Sequence, residues 1–495
     1  MRDLYLAIDV GTGGLRAALV GQDGRTCAFS HREHEQIVPH FGWSEQRPAD
    51  WWAGTRAAIR EVLAKVENAP ARVAAICTCG QMHGSVLIND HGELTREAAL
   101  LWNDKRTAPQ AEAFAARVSA QQALDLAANV PSPAWPAFKI AWIAENDPQA
   151  LARSTTLLMP KDWINFKLTG VRAQDRTEAS LSFLMDWRSR QWSNELCALT
   201  GVPRYLLPDL LNAGDILAGV AADVAADLGV PAGLPVLVGA GDYPMALLGS
   251  GVTRPNMGSD VTGTSAIITL MHEQPVLDPD VSNVLAANGV WGAMTLIDAG
   301  GDAVRWARRA FHENKRSYSD VATDAARASA GANGLFFLPY LSGERFGYRN
   351  ARAQFFGLKA EHGLPDLHRA VLEGVAFAVR LKLDGLKGDN CRPERIVAAS
   401  GGARSDLWLQ VKASMFDVPY VVLEEPECGI VGAAMLMAVA NGDAPDIETA
   451  VARMVRLSRE IKPDPAWSAV YDRMMPIYAR LYERSQALYD DLDAL

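Results

Sequence analysis

The sequence lacks the marks of several protein classes. Its cysteines, Cys27, Cys77, Cys79, Cys197, Cys391 and Cys428, number only six in 495 residues. None forms a Cys-x-x-Cys pair, so neither a disulfide framework nor a thiolate metal knot is expected. Cys77 and Cys79 flank Thr78 and, on a strand, would share one face as small buried hydrophobes. No long apolar run occurs: the longest, Ile430 to Ala440, is about half a membrane span. The amino terminus, MRDLYLAIDVGTGG, has no apolar core of a secretory signal. A cytoplasmic protein without a membrane partner is the expectation. Positive charge is also short, 48 Lys+Arg against 58 Asp+Glu, a net charge of −10, which argues against a nucleic-acid partner. The familiar nucleotide and hydrolase motifs are missing: no Gly-Lys dipeptide and hence no Walker A loop, no G-x-G-x-x-G, no H-E-x-x-H and no G-x-S-x-G.

What remains is a globular composition, 49% hydrophobic and 21% charged, too long for one ordinary core. Leu4–Ile8 reads as a strand, Asp9-Val10-Gly11-Thr12-Gly13-Gly14 as a turn, and Leu15–Val20 as a returning strand. That is an antiparallel meander, not the strand–loop–helix of a dinucleotide fold. Val73–Cys79 reads as a buried strand and Ala108–Ala128 as one helix. Near residue 236 the pattern restarts. Ser259-Asp260-Val-Thr-Gly-Thr-Ser repeats the opening theme of Asp, a Gly/Thr turn and a strand. Two domains on one plan follow, divided near residues 243–253, as 1–246 and 247–495.

Two Asp-bearing Gly/Thr turns carry chemistry. Such a turn exposes backbone N–H groups and hydroxyls that can wrap a phosphate without cationic side chains. A neighbouring Asp can hold a hydrated Mg²⁺, which keeps most of its waters. A third small-residue loop, Ser400-Gly401-Gly402-Ala403-Arg404-Ser405, precedes a helix from Asp406 to Phe416, where the backbone is open to a flat group or a phosphate. Asp242 follows the strand-like Val236–Val238 and Gly239-Ala240-Gly241. It could be a proton acceptor, or the cap of a helix beginning near Pro244. Taken alone, Met82 reads as core filler, His83 as a satisfied buried histidine and Trp51-Trp52 as core packing.

The longer motifs resemble those of the FGGY carbohydrate kinases, a branch of the sugar kinase/Hsp70/actin superfamily. Pro131-Ser132, Trp135, Lys139, Trp142 and Glu145-Asn146 resemble the family's first signature. Phe355-Phe356-Gly357, then Asp366, Arg369 and Glu373-Gly374, resemble the second. Gly80-Gln81-Met82-His83-Gly84 with Leu101-Trp102-Asn103-Asp104 is similar to the xylulokinase subgroup. The resemblance implies an α/β fold of two actin-like (ribonuclease H-like) ATPase domains, with mixed sheets flanking a central cleft. The first domain would bind sugar and the first phosphate loop, the second the nucleotide. It implies transfer of the ATP γ-phosphoryl group to a ketopentose, D-xylulose before other ketoses or polyols such as ribulose, L-xylulose, erythritol or glycerol. A non-catalytic actin-like ATP-binding protein is the reading from another class. A homodimer stays open.

The residues that the resemblance assigns are these. Asp242 matches the catalytic base and a substrate contact. Met82, His83 and Trp102 match the sugar side. Gly11, Thr12 and Gly13 match the first phosphate loop, and Thr262, Gly263 and Thr264 the second. Gly301, Gly401, Gly402 and Ser405 fall where ATP's nucleoside lies. Asp9 matches the Mg²⁺-associated aspartate, acting through water. Two departures stand out. Tyr243-Pro244 replaces the Asn that usually follows the base, and Gly343 to Gln354 departs from the family's usual segment there.

Overall fold

The computed structural model describes residues 2–344, 347–386 and 393–495. Cys391, Arg345 and Phe346 lie outside the described residues. The chain forms two compact units: Met1–Thr253 with Leu277–Trp291 and Glu427–Val455, and Arg254–Val276 with Gly292–Pro426 and Arg456–Leu495. The chain first passes from one unit to the other after Thr253. The expected 1–246 and 247–495 split differs in that two later segments, 277–291 and 427–455, return to the first unit.

The first unit is built on β1 (Leu4–Val10), β2 (Gly14–Gly21) and β3 (Thr26–Glu33), helix α1 (Pro48–Ala64), and β4 (Val73–Gly80). Helices α2 (Pro160–Thr169) and α3 (Arg176–Ser180) follow, then β5 (Ile216–Gly219), β6 (Pro235–Gly241) and helix α4 (Asp242–Gly249). The sheet order is β5-β6-β4-β1-β2-β3. β1 runs parallel to β4, and β4 parallel to β6, while β2, β3 and β5 are antiparallel to their neighbours. β1 is buried along its whole length, and apolar but for Asp9, because both its faces are covered. Leu4, Leu6, Ile8 and Val10 pack with Trp51, Ile59 and Val62 of α1. Tyr5 and Ala7 turn to the other face, among Cys77, Cys79 and Ala240. Trp51 and both cysteines are core, as read from the sequence.

The second unit repeats this plan. β7 (Met257–Thr262) and β8 (Ala266–His272) form the hairpin, followed by β9 (Trp291–Ile297) and helix α5 (Gly301–His312). β10 (Arg395–Ala399) lies parallel to β7, and β11 (Tyr420–Leu423) parallel to β10, with helix α6 (Asp406–Phe416) between them in sequence. β12 (Leu457–Ile461) closes the edge against β11.

Between β11 and β12 the chain returns to the first unit as helix α7 (Cys428–Ala440), whose Ile430, Val431, Ala433 and Ala434 cover the second face of the first sheet. α7 meets α4 glycine to glycine. A Cβ on Gly249 would stand 1.8 Å from the Cys428 carbonyl oxygen, and one on Gly432 2.3 Å from that of Met245.

Two local readings change. The expected single helix Ala108–Ala128 is two, Ala108–Ala115 and Ala120–Ala127. Ser119 starts the second by accepting a hydrogen bond from Gln122 N (3.2 Å), an N-cap that competes with a continuous helix. β6 runs through Gly241, so the glycines belong to the strand, and α4 begins at Asp242 rather than near Pro244. Among the described residues, no helix is long and apolar enough to cross a membrane.

Candidate active site

In the first unit, β1, β4 and β6 are parallel neighbours, and their carboxyl ends deliver Asp9, Gln81-Met82-His83 and Asp242 to one edge of the sheet. Ligands bind at such edges in α/β sheets. Asp9 faces Arg16 across the β1–β2 hairpin because the register pairs them. Arg16 Nη1 donates to Asp9 Oδ2 at 2.8 Å, and Arg16 Nε lies 3.5 Å from Glu427 Oε2. Asp9 Oδ1 is buried without a partner. Burial pushes the Asp9 carboxyl up, against the pull of Arg16.

Met82 rests against the end of β6, where a Cβ on Gly241 would stand 2.7 Å from Met82 Cγ. His83 holds φ +67°, a left-handed conformation that His adopts more readily than most residues. Its backbone is gripped on both sides. The N–H donates to Glu178 Oε2 (3.3 Å), and the carbonyl accepts from Lys139 Nζ (2.6 Å). The imidazole stands edge-on to Trp135, centroids 5.1 Å apart, with Nδ1 unpartnered. Burial, then the Lys139 charge, holds His83 well below the usual imidazole range, so its ring is neutral at pH 7. Burial likewise draws Lys139 down to about 7 and pushes Glu178 well up. A neutral imidazole with a free nitrogen suits a hydroxyl partner.

Thr12, on the β1–β2 turn, is tied to this edge by a polar network. Its Oγ1 donates to Gln81 Oε1 (3.1 Å) and accepts from Trp102 Nε1 (3.0 Å). Gln46 Nε2 donates to the Thr12 carbonyl (2.7 Å), and Gln46 Oε1 accepts from Gln81 Nε2 (2.8 Å) and Trp51 Nε1 (3.1 Å). Trp102 is exposed, its indole fixed at the edge by that single bond. The Thr12 hydroxyl is thus engaged within the protein, which leaves the loop's backbone for a phosphate. The space beside Gly13 is open: a Cβ added there would meet no atom within 4 Å. Gly11 is tighter, its Cβ position 3.0 Å from the Gly14 carbonyl oxygen.

Asp242 is the first residue of α4. Its Oδ1 accepts from Tyr243 N at 2.7 Å, so it touches the helix start, although Gly241 is the capping position. Burial, then the charge of Asp9, pushes the Asp242 carboxyl up to about 7, while the Tyr243 N–H pulls the other way. This is the range in which a carboxyl group exchanges protons at neutral pH.

The second unit gathers the other assigned residues. Gly301 N donates to the Gly263 carbonyl (2.8 Å) and Asp302 N to that of Thr264 (3.1 Å), fixing the β7–β8 turn on the start of α5. A Cβ on Gly301 would stand 2.3 Å from the Gly263 oxygen, so glycine is needed there. Gly402 is pressed against Thr262, 2.7 Å from a Cβ, whereas Gly401 has only the Thr262 oxygen, at 3.9 Å. Ser405 caps α6, accepting from Trp408 N at 3.3 Å. The Thr262 hydroxyl is engaged: it donates to Asp260 Oδ1 (2.5 Å) and accepts from Lys412 Nζ (2.7 Å).

Among the described residues, no three His, Cys, Asp or Glu side chains stand as a metal cluster. A hydrated Mg²⁺ needs less than a cluster, and the unpartnered Asp9 Oδ1 fits one that keeps its waters.

Sequence reading missed Arg16, Glu178, Gln46 and Lys412 as partners of this chemistry. Arg16 was legible, since a seven-residue separation across a short turn pairs it with Asp9. The others lie too far away in sequence to signal. In the second signature, Arg369 and Glu373 prove to be a buried ion pair (2.6 Å) held by Tyr471, which is a packing role.

The chain matches known proteins over nearly its whole length. The FGGY family of carbohydrate kinases matches in two parts, its N-terminal domain over residues 4–249 and its C-terminal domain over residues 259–441. The xylulose kinase of Bacillus subtilis is 28% identical over 489 residues, covering 98% of this chain and 97% of its own. A crystal structure of xylulose kinase from Rhodospirillum rubrum superposes with a TM-score of 0.93 at 30% identity, over 98% of this chain and 100% of that one. That of gluconate kinase from Lactobacillus acidophilus gives 0.92 at 25%, over 99% and 100%.

Proposed function

We propose that this chain, which belongs to the FGGY family of carbohydrate kinases and is an ATP-dependent sugar kinase, phosphorylates a ketopentose, D-xylulose, to give D-xylulose 5-phosphate. The observation that carries the proposal is the edge shared by Asp9, Met82-His83 and Asp242, with the Asp242 carboxyl pushed up to about 7. Full-length similarity to xylulose kinases supports the choice of sugar.

Phosphoryl transfer asks mainly for alignment, charge neutralisation and a place for the hydroxyl proton. Asp242, ionised, accepts that proton at its carboxylate. Met82, His83 and Trp102 form the sugar side, where the free Nδ1 of His83 takes a hydroxyl. The backbones of Gly11, Thr12 and Gly13 face phosphate, as do those of Thr262, Gly263 and Thr264. Gly301, Gly401, Gly402 and Ser405 surround the nucleoside. Asp9 would hold Mg²⁺, and the ion would supply positive charge to offset that of the phosphates.

The gluconate kinase likeness favours one second reading, an aldonate or another polyol as acceptor on the same fold. An ADP-release assay with D-xylulose, D-ribulose, L-xylulose, glycerol, erythritol and gluconate decides. The proposal expects the highest kcat/KM with D-xylulose. A clear preference for another acceptor replaces it.

A further inference from the structure

Behind Asp242 lies a buried polar cluster that phosphoryl transfer does not itself require. Strand β6 departs from regular pairing just before it ends. Leu237 pairs with Cys77 and Ala240 with Cys79, so Val238 and Gly239 together face Thr78 alone. The extra residue is a β-bulge, and bulges re-aim the chain that follows. Gly239 has φ +71°, and a Cβ there would stand 1.8 Å from the Thr78 carbonyl oxygen. The bulge therefore needs glycine and costs the sheet a regular bond.

Side chains from α2 and α3 take up the displaced backbone groups. Asn165 Nδ2 donates to the Val238 carbonyl at 2.7 Å, and Lys161 Nζ lies 3.4 Å from the same oxygen. Thr177 Oγ1 accepts from Gly241 N at 3.1 Å, one residue before Asp242. That hydroxyl donates in turn to Asp175 Oδ1, and Asp175 Oδ2 pairs with Lys161 Nζ at 2.7 Å. Lys161 also pairs with Asp162. Asn165, Thr177, Lys161, Asp162 and Asp175 are all buried. Burying this much charge to hold one strand end is costly unless the end must be placed accurately.

We propose that Asn165 and Thr177 are positioning residues, pinning the Val238–Gly239 bulge and Gly241 so that the Asp242 carboxylate points at the sugar hydroxyl. The inference rests on the reading of Asp242 as the base. Asn165 fixes the bulge from one side, Thr177 fixes the last backbone N–H before α4, and the ion pairs of Lys161 hold Thr177's partner Asp175 in place. Neither side chain is asked to touch substrate.

The test is a kinetic double-mutant cycle with Thr177→Val and Asp242→Asn, with Thr177→Ser and Asn165→Ala alongside. Thr177→Val keeps the shape and removes the hydroxyl. Its kcat should fall about 10–100-fold, the usual cost of a small misplacement, with KM for ATP within about threefold. Thr177→Ser should restore kcat, and Asn165→Ala should repeat the loss independently, so that one unfolded variant does not decide the matter. The decisive expectation is non-additivity: Thr177→Val in the Asp242→Asn background should cost no further rate. Multiplicative losses, or a folded Thr177→Val with lowered Tm and wild-type kcat, overturn the positioning role and leave a structural one. Wild-type turnover by Asp242→Asn instead overturns the assignment of the base. The two failures are therefore read on different variants.

Discussion

Asp9 and Asp260 occupy the same place in the two units: near the end of the first strand of a hairpin, followed by Val and a Gly/Thr turn, with a parallel strand alongside. Both are buried. Their surroundings differ. Asp260 Oδ2 accepts from Lys412 Nζ (2.8 Å) and Tyr420 OH (3.0 Å), and Oδ1 from Thr262 (2.5 Å). Asp9 has Arg16, whose side chain is 37% exposed, and one oxygen with no partner. One plan thus holds a carboxylate closed in one unit and open in the other. A satisfied buried charge is part of the structure, whereas a buried charge left with an idle oxygen awaits a ligand.

The sharpest way to break the comparison is to remove each charge. Asp260→Ala strands Lys412 in the interior and should cost about 3–5 kcal/mol of stability, read as a drop in urea midpoint. Asp9→Asn leaves Arg16 to solvent and Glu427, so the midpoint should barely move while kcat falls by about 100-fold or more. Equal stability losses would erase the distinction.

Asp242→Asn extends the contrast to the neighbouring strand. Its kcat should fall by roughly 10²–10⁴-fold. A carboxyl group raised on folding loses stability on ionising, so the Asn variant should melt no lower than wild type at about pH 8. For the same reason, wild-type kcat/KM should be flat above about pH 7 and fall as the pH drops below it, where Asp242 gains its proton. That acid limb should be missing from the residual activity of Asp242→Asn.

A smaller effect is expected at His83. His83→Gly keeps the left-handed backbone that Ala would strain. It should raise the sugar KM by the loss of about 1–3 kcal/mol, with the ATP KM unchanged. The smallest effect separates two glycines of the second unit. Gly401→Val should raise the ATP KM, about tenfold for each ~1.4 kcal/mol lost, at unchanged Tm. Gly402→Val should lower Tm, because its side chain would meet Thr262.

The sequence showed the parts of this site that are local. The Asp-Val-turn motifs, the meander and the repeat were legible because strand period and turn chemistry act over a few residues. What separates Asp9 from Asp260 was not, since Lys412 lies 152 residues from Asp260. The grip of Lys139 and Glu178 on His83 was hidden for the same reason, even with Lys139 inside a recognisable signature. The break at Ser119 was missed because alanine content masked a capping serine. The bulge before Asp242 was missed because Gly239-Ala240-Gly241 read as a stretch beyond the strand-like Val236–Val238, whereas a close approach to Thr78 demands Gly239.

The crossing of α4 and α7 has a consequence for biosynthesis. α4 carries Asp242 at its start, yet the helix it locks onto begins only at Cys428. Until α7 leaves the ribosome, the face of the first sheet from Tyr5 and Ala7 to Ala240 has Met245 and Leu248 of α4 on it but lacks the cover of Ile430, Val431, Ala433 and Ala434. At about 5–20 residues per second, the stretch between the two helices takes roughly 10–35 s to make. Throughout that interval the nascent chain shows an apolar face of the kind chaperones bind. A fragment ending after the first domain would carry the proposed base and sugar side but never fully bury that face, and would collect in aggregates instead of working as a minimal enzyme.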